Sequence, residues 1–241
     1  MEVYVGCCGL TKSMKKYFEI YSLLETQNTF YRIVRPETAR RWRELAHPDF
    51  VFTVKAFQGI THPASSPTWR RSNIKPTPAH GRFQLTSAVF DSWQRTKTIC
   101  EELQAPVTII QAPATFTDAE QNVKSVEEFF RSIDRGGLII GFEPRGWRQE
   151  SIAEVCDKVG VTHVTDPFVS NPVSLGGTGV AYFRLHGSPP GKKMYYYTYS
   201  DGELKTLADR LTTLGASRVF VLFNNITREI DAKRFLKLIK A

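Results

Sequence analysis

Eight short apolar runs, nearly all separated by helical patterns, leave this 241-residue chain few folds to choose from. The runs are VYVGC (3–7), a weaker one near Leu23 to Asn28, FVFTVKAF (50–57), PVTIIQAP (106–113), GLIIGFEP (137–144), VTHVTDP (161–167), VAYFRLHG (180–187) and SRVFVLFNN (217–225). Between them lie a short, partly aromatic helical stretch around Lys12 to Ile20 and an amphipathic helix opened by Pro36. Further helices are expected from about Gln84 to Leu103, from a cap at Thr117 or Asp118 to about Ile133, and near Gln149 to Val159. Ser200 and Glu203 form a capping-box pattern before a helix to Leu214, and a basic helix closes the chain. Only FVSNPVSLGGTG, ahead of the seventh run, holds too much Pro and Gly for a helix. Alternating strands and helices imply a parallel sheet, because parallel neighbours need a crossover. Eight such units in this length predict an α/β fold, a (β/α)8 TIM barrel forming a single domain over 1–241. An open doubly wound sheet is the rival.

The polar residues decide between the two. In VAYFRLHG, side chains alternate faces: Ala181, Phe183 and Leu185 take one, Tyr182, Arg184 and His186 the other. An unpaired buried charge costs several kcal/mol, so Arg184 must find partners on other strands. The same alternation offers Glu25 and Gln27, Thr53 and Lys55, Gln111, Glu143, Asp166, and Asn224 with Asn225. All fall late in their strands and on one face, as in a barrel whose carboxyl-end mouth collects the functional groups. The loops add Arg145, Trp147 and His62, and a connection at about 58–83 reads as a lid carrying Trp69, Arg70, Arg71 and Lys75. After the seventh strand come Lys192, Lys193, Tyr195, Tyr196, Tyr197 and Tyr199. Taken singly, each has a plain structural role available, as part of a satisfied ion-pair network, a core histidine or a solvated loop. It is the convergence of six or seven strand ends on one mouth that points to a site.

Thirty-two Lys and Arg against 24 Asp and Glu give a formal net charge of +8, a lean towards phosphorylated or polyanionic partners. Cys7, Cys8, Cys100 and Cys156 form no C-x-x-C pair and read as reduced thiols. No apolar run reaches membrane-spanning length and no signal-peptide pattern is present, so a cytoplasmic protein without membrane association is expected. The oligomeric state is not legible.

Several of these segments carry a resemblance. ETQNTFY (25–31) with PETARRW (36–42), VKAF and ITH (54–62), FEPRGW (142–147), YFRLHG (182–187), YTYSDGEL (197–204) and FNN (223–225) resemble, in order and over essentially the whole chain, the YecE-like family, domain of unknown function 72. The resemblance implies a TIM barrel and no particular reaction. On its pattern Glu25, Lys55, His62, Glu143, Trp147, Arg184, His186 and Asn224 carry over. GCCG stands where relatives look more like GTSGW, and FEPRGW replaces E-F-R-H-x-S-W, so a tryptophan and a histidine of the pattern are missing. The barrel is also similar to that of the xylose-isomerase and endonuclease IV group, an analogy of fold only.

Three functions follow as expectations. The first is a hydrolase acting on phosphodiesters or nucleic acid, with Glu25, Lys55, Glu143 and His186 as catalytic candidates. Gln27, His62, Arg70, Arg71, Gln111, Arg145, Trp147, Arg184, Tyr196 and Asn224 would bind substrate or phosphate. Asp166, with Glu143 and His186, would hold a hard divalent ion such as Mg or Mn. The chain has only five histidines, and His47 and His163 read as helix-end and helix-facing, which argues against a multi-zinc centre. The second is a sugar or sugar-phosphate isomerase or lyase, with Glu143 or Glu25 as base and His186 as acid. Lys55 would then be an electrostatic stabiliser or a Schiff-base nucleophile. The third is a nucleic-acid-binding module without turnover.

Overall fold

The computed structural model describes residues 1–10, 12–187 and 194–240. Its eight parallel strands are β1 (Glu2–Cys8), β2 (Leu23–Thr26), β3 (Val51–Lys55), β4 (Val107–Ala112), β5 (Ile139–Pro144), β6 (Thr162–Thr165), β7 (Val180–Leu185) and β8 (Arg218–Phe223). They close into a barrel in sequence order, β8 pairing back onto β1 from Glu2 against Arg218 to Cys7 against Phe223. The helices are α1 (Met14–Phe18), α2 (Asn28–Tyr31), α3 (Pro36–Leu45), α4 (Ser87–Leu103), α5 (Glu120–Ser132), α6 (Gln149–Val159), α7 (Asp201–Leu211) and α8 (Arg228–Lys240). Among the described residues no helix joins β6 to β7, as the Pro- and Gly-rich linker required. No helix among the described residues is long and apolar enough to cross a membrane.

Period-two alternation sorts each strand into an inner and an outer face. Leu23, Val107, Ile109, Val164, Tyr182, Phe220 and Leu222 pack together inside the barrel. Ala181, Phe183, Leu185, Val219, Val221 and Phe223 pack outward, in one cluster with Leu204, Leu207 and Leu211 of α7 and Phe235 of α8. Each fully buried large apolar side chain contributes about 1.5–3 kcal/mol relative to exposure, so both faces hold the sheet in register. One inner position has no room for a side chain: a Cβ on Gly141 would meet Val164 Cγ2 at 2.6 Å and Ile109 Cδ1 at 2.7 Å.

Local signals are realised unevenly. The capping box forms, with Ser200 Oγ accepting from Glu203 N at 3.2 Å and Glu203 Oε2 accepting from Ser200 N at 2.8 Å, although the helix ends at Leu211 and not Leu214. Neither Thr117 nor Asp118 caps α5, whose N-cap is Ala119. Asp118 instead accepts from Arg148 Nε and Ser151 Oγ, both at 2.7 Å. The second strand stops at Thr26, and α2 starts where the apolar pattern predicts more strand. The Thr29 hydroxyl lies 2.8 Å from both Thr26 O and Lys55 O, which fixes that turn against β3.

The long connection at 58–83 is tied to the barrel. It contains 3-10 turns at Gln58–Ile60 and Pro67–Arg71, and Phe83 N donates to Ile60 O at 3.0 Å. Trp69 is buried and its indole donates to Pro63 O at 3.0 Å. Gly81, at φ +86, brings its backbone against His62, whose carbonyl carbon would lie 2.5 Å from a Cβ there.

Candidate functional site

The inner positions nearest the carboxyl ends of β2, β5 and β7 meet in one ion-pair ladder. Arg184 on β7 has a side chain only 1% exposed. Its Nε and Nη2 donate to Glu25 at 3.1 and 2.9 Å, and Nη1 donates to Glu143 Oε2. Glu25 also accepts from Gln27 Nε2 and, at 2.9 Å, from the Tyr182 hydroxyl, which lies 2.7 Å from Thr53 Oγ1. Glu143 Oε1 accepts from Arg145 Nε at 3.0 Å. Every carboxylate oxygen of Glu25 and Glu143 thus faces an arginine, the arrangement that lets buried charges persist.

Arg145 passes the ladder on to His186. Its Nη2 lies 3.1 Å from His186 Nε2 and its Nη1 3.4 Å from the Tyr195 hydroxyl. A guanidinium only donates, so Nε2 is the accepting nitrogen and the ring proton sits on Nδ1. Nδ1 faces Asp166 Oδ2 at 3.6 Å, and the same oxygen accepts from His186 N at 2.8 Å. Asp166 Oδ1 accepts from Phe168 N at 3.0 Å. Asp166, His186 and Arg145 therefore form a line along the wall of a pocket of about 330 Å³, which Glu143, Trp147 and Thr165 also line.

Burial and charge set the protonation states. Burial alone would raise Glu143, but Arg184 and then Arg145 outweigh it and hold the carboxyl well below its usual range. Burial lowers the Lys55 ammonium most and Arg184 next, bringing it down to about 7. Lys55 Nζ rests 3.9 Å from the centre of the Phe30 ring, and among the described residues no carboxylate oxygen lies within 4.0 Å of it. His186 is lowered by burial, against the raising effect of its contact with Asp166. His62, stacked edge-on to Phe30, is pushed down to about 3 by burial and then by Lys55. Lys55 is thus the group brought close to neutrality, while Glu143 is held ionised by its two arginines.

The expected divalent ion does not fit these residues. Asp166 faces Nδ1 of the His186 ring and Glu143 faces Nε2, at 3.9 Å, so the ring stands between the two carboxylates. Both oxygens of Glu143 are taken by arginines, whose charges would repel a cation. Among the described residues no three His, Cys, Asp or Glu side chains are grouped to hold a metal. The Mg or Mn expectation is set aside on that geometry.

The remaining candidates separate. Gln27 joins the ladder, and Gln111, at the end of β4, is buried in register with Glu143. Trp147 supplies a wall of the pocket, but its indole N–H donates to Phe116 O at 2.7 Å, so it has no donor to offer a ligand. Asn224 follows β8 and its backbone N–H donates to Leu185 O at 2.8 Å, whereas Asn225 binds Tyr197 O and Asp231 and is structural. Tyr195 packs edge-on to His186 and Tyr196 is 73% exposed. Tyr197 and Tyr199 are spent on Glu203 and on Gly187 N. Lys192 and Lys193 lie outside the described residues. Arg70 and Arg71 line a groove beside α2 and α3, not the His186 pocket. His163 accepts from Val173 N at 3.2 Å and, though on the helix-facing parity of β6, also lines the His186 pocket. Two contributors were not among the site candidates. Tyr182 shared a face with Arg184 and His186, a usable signal; Phe30 lies on a four-residue helix that no periodicity reveals.

Fold and site together define a TIM-barrel protein with a charged carboxyl-end mouth. Residues 3–241 match the family described as "Protein of unknown function DUF72", and the chain belongs to that family. It is 23% identical over 252 residues to the UPF0759 protein YunF of Bacillus subtilis strain 168, covering 92% of this chain and 84% of that one. A DUF72 family protein from Thermotoga maritima MSB8 superposes with TM-score 0.72 at 22% identity, covering 100% of both chains. One from Enterococcus faecalis V583 gives 0.74 at 19%, covering 100% of this chain and 98% of that one. The wider barrel group is represented by endonuclease IV from Thermus thermophilus (TM-score 0.54, 12% identity, 100% and 98% covered) and a D-psicose 3-epimerase (0.61, 10%, 99% and 98%). At these identities the structural likeness speaks to the fold.

Proposed function

We propose that the mouth is the active site of a phosphodiester-acting hydrolase in which His186 is the general base, Asp166 its orienting partner and Arg145 the phosphate holder. The observation that carries this reading is the Asp166–His186–Arg145 line, all three residues of which line the pocket, with His186 Nε2 accepting from Arg145. A phosphate oxygen entering the pocket takes Arg145's outer N–H groups, for which a guanidinium fork is suited. That frees Nε2 to remove a proton from water as the water oxygen attacks phosphorus. The P–O ester bond breaks, the leaving oxygen takes up a proton, and Asp166 stabilises the imidazolium in between. The distant likeness to endonuclease IV is compatible with this reading and carries none of it.

The test is hydrolysis of bis(4-nitrophenyl) phosphate and of a short single-stranded DNA by the wild-type protein and by His186→Asn and Asp166→Asn. A loss of about 10²–10⁴-fold in both variants is expected. Activity should rise with pH through a value below 6.5 and level off by neutrality, because His186 must be unprotonated. No turnover of either substrate, or full activity in the variants, overturns the proposal.

Lys55 favours a second reading, Schiff-base chemistry on a phosphorylated carbonyl compound. A neutral amine attacks the carbonyl carbon and water leaves; an ammonium brought down to about 7 and lacking a carboxylate partner is suited to that. Borohydride reduction with ribose 5-phosphate, followed by peptide mass spectrometry, reads it directly. If no adduct forms at Lys55, this reading is lost.

A further inference from the structure

We infer that the groove between α2, α3 and the Pro67–Arg71 turn is a binding track for single-stranded nucleic acid, separate from the His186 pocket. The groove encloses about 810 Å³ and is walled by Arg32, Arg35, Arg70 and Arg71, with Tyr31 and Trp42 among its other lining residues. No Asp or Glu lines it, and among the described residues none of the four arginines has a carboxylate within 4.0 Å. Four uncompensated guanidiniums on one groove are costly to keep together through mutual repulsion, and the natural relief is a chain of phosphates.

Two further features select a single strand over other anions. The Arg71 guanidinium lies over the Tyr31 ring at 3.6 Å, which leaves its outer plane as a flat platform for an unstacked base. Half-buried Trp42 offers an aromatic edge in the same groove. The groove also has a way inward. Asn28, Trp42 and Arg71 are shared with a cleft of about 250 Å³ that reaches Gln27 and Glu25 at the barrel mouth. Arg228 lines that cleft, and its Nε is buried with no hydrogen-bond partner among the described residues. A strand lying along the groove would thus have a phosphate-ready end next to the ladder. This binding does not require the His186 chemistry to be correct.

The experiment is fluorescence anisotropy with a labelled single-stranded DNA of about 12 nucleotides, the same sequence as a duplex, and poly-glutamate as an acidic-protein mimic. Four phosphate contacts on a single strand give a slope of about −2.8 for log affinity against log salt, or about 50-fold weaker binding between about 50 and about 200 mM salt. Arg70→Ala with Arg71→Ala should halve the slope to about −1.4. Trp42→Phe should remove the tryptophan quenching that accompanies binding in the wild-type protein. Absence of binding at low salt, an unchanged slope in the double variant, or equal affinity for the duplex or poly-glutamate overturns the inference. Because the readout is binding alone, a protein that binds the strand but cleaves no diester would sink only the hydrolase reading, and the converse would sink only this one.

Discussion

Replacing Arg184 by Met tests the ladder most directly. The substitution keeps a long apolar stem but removes the cation shared by Glu25 and Glu143, whose side chains are 0% and 8% exposed. Breaking a buried pair by removing one partner costs about 3–5 kcal/mol; here Glu25 is left with neither water nor counter-ion, while Glu143 retains Arg145. In a chain of this length each kcal/mol moves the melting temperature by about 2–4 °C, so Tm should fall by roughly 6–20 °C. The pH dependence separates this cause from lost packing. In the native protein Glu143 is held ionised below its ordinary value of 4.5, so its stabilising contribution is present above that value and disappears only as pH falls through the depressed one. Between about pH 7 and about pH 5 the wild-type ladder therefore stays intact. In the variant Glu25 loses its only cation and Glu143 keeps Arg145 alone, so the penalty of the buried carboxylates eases as pH falls and the deficit should narrow over the same interval. Urea unfolding followed by circular dichroism at both pH values reads it. Replacing Glu25 and Glu143 by Gln alongside Arg184→Met should recover part of the loss. A deficit under about 1 kcal/mol at neutral pH, or one equal at both pH values, would refute the reasoning.

Two other perturbations have worked-out signs. Lys55 has a folded value of about 7 against an ordinary 10.5, so the unfolded chain binds the extra proton between those limits and the cost of burying the ammonium is complete below about 7. Lys55→Met should then stabilise the protein by roughly 2–4 kcal/mol near pH 6, with the advantage fading towards pH 10 in the same urea assay. Ser200→Ala removes one half of the capping box and should cost about 1 kcal/mol, a Tm drop of about 2–4 °C, with no change in nucleic-acid binding.

The barrel was legible because its signal is local and repeated. Apolar runs with period two, each followed by a helical pattern or a breaker, specify strands and crossovers one at a time, and eight such units close only one way. The charged face was legible for the same reason: Glu25, Lys55, Glu143, Arg184 and His186 occupy inward parity positions in VAYFRLHG and its counterparts. Asp118 shows the limit. Its position before α5 suits a cap, yet Arg148 and Ser151, 30 or more residues away, offer better partners and win. The metal expectation fell on similar ground: Asp166, Glu143 and His186 are of the right types, but the ring separates the carboxylates and arginines occupy Glu143.

The sequence by itself determined the strand count, the parity of Glu25, Lys55, Glu143, Arg184 and His186 and the end of the barrel at which charges gather, since these depend on backbone geometry within a few residues. Only the tertiary structure decided who pairs with whom. Arg184 claiming both glutamates, Lys55 left to an aromatic ring, and His186 aligned between Asp166 and Arg145 are contacts across 20 to 159 positions of chain. Coulomb forces there depend on distances and burial that no spacing along the chain encodes.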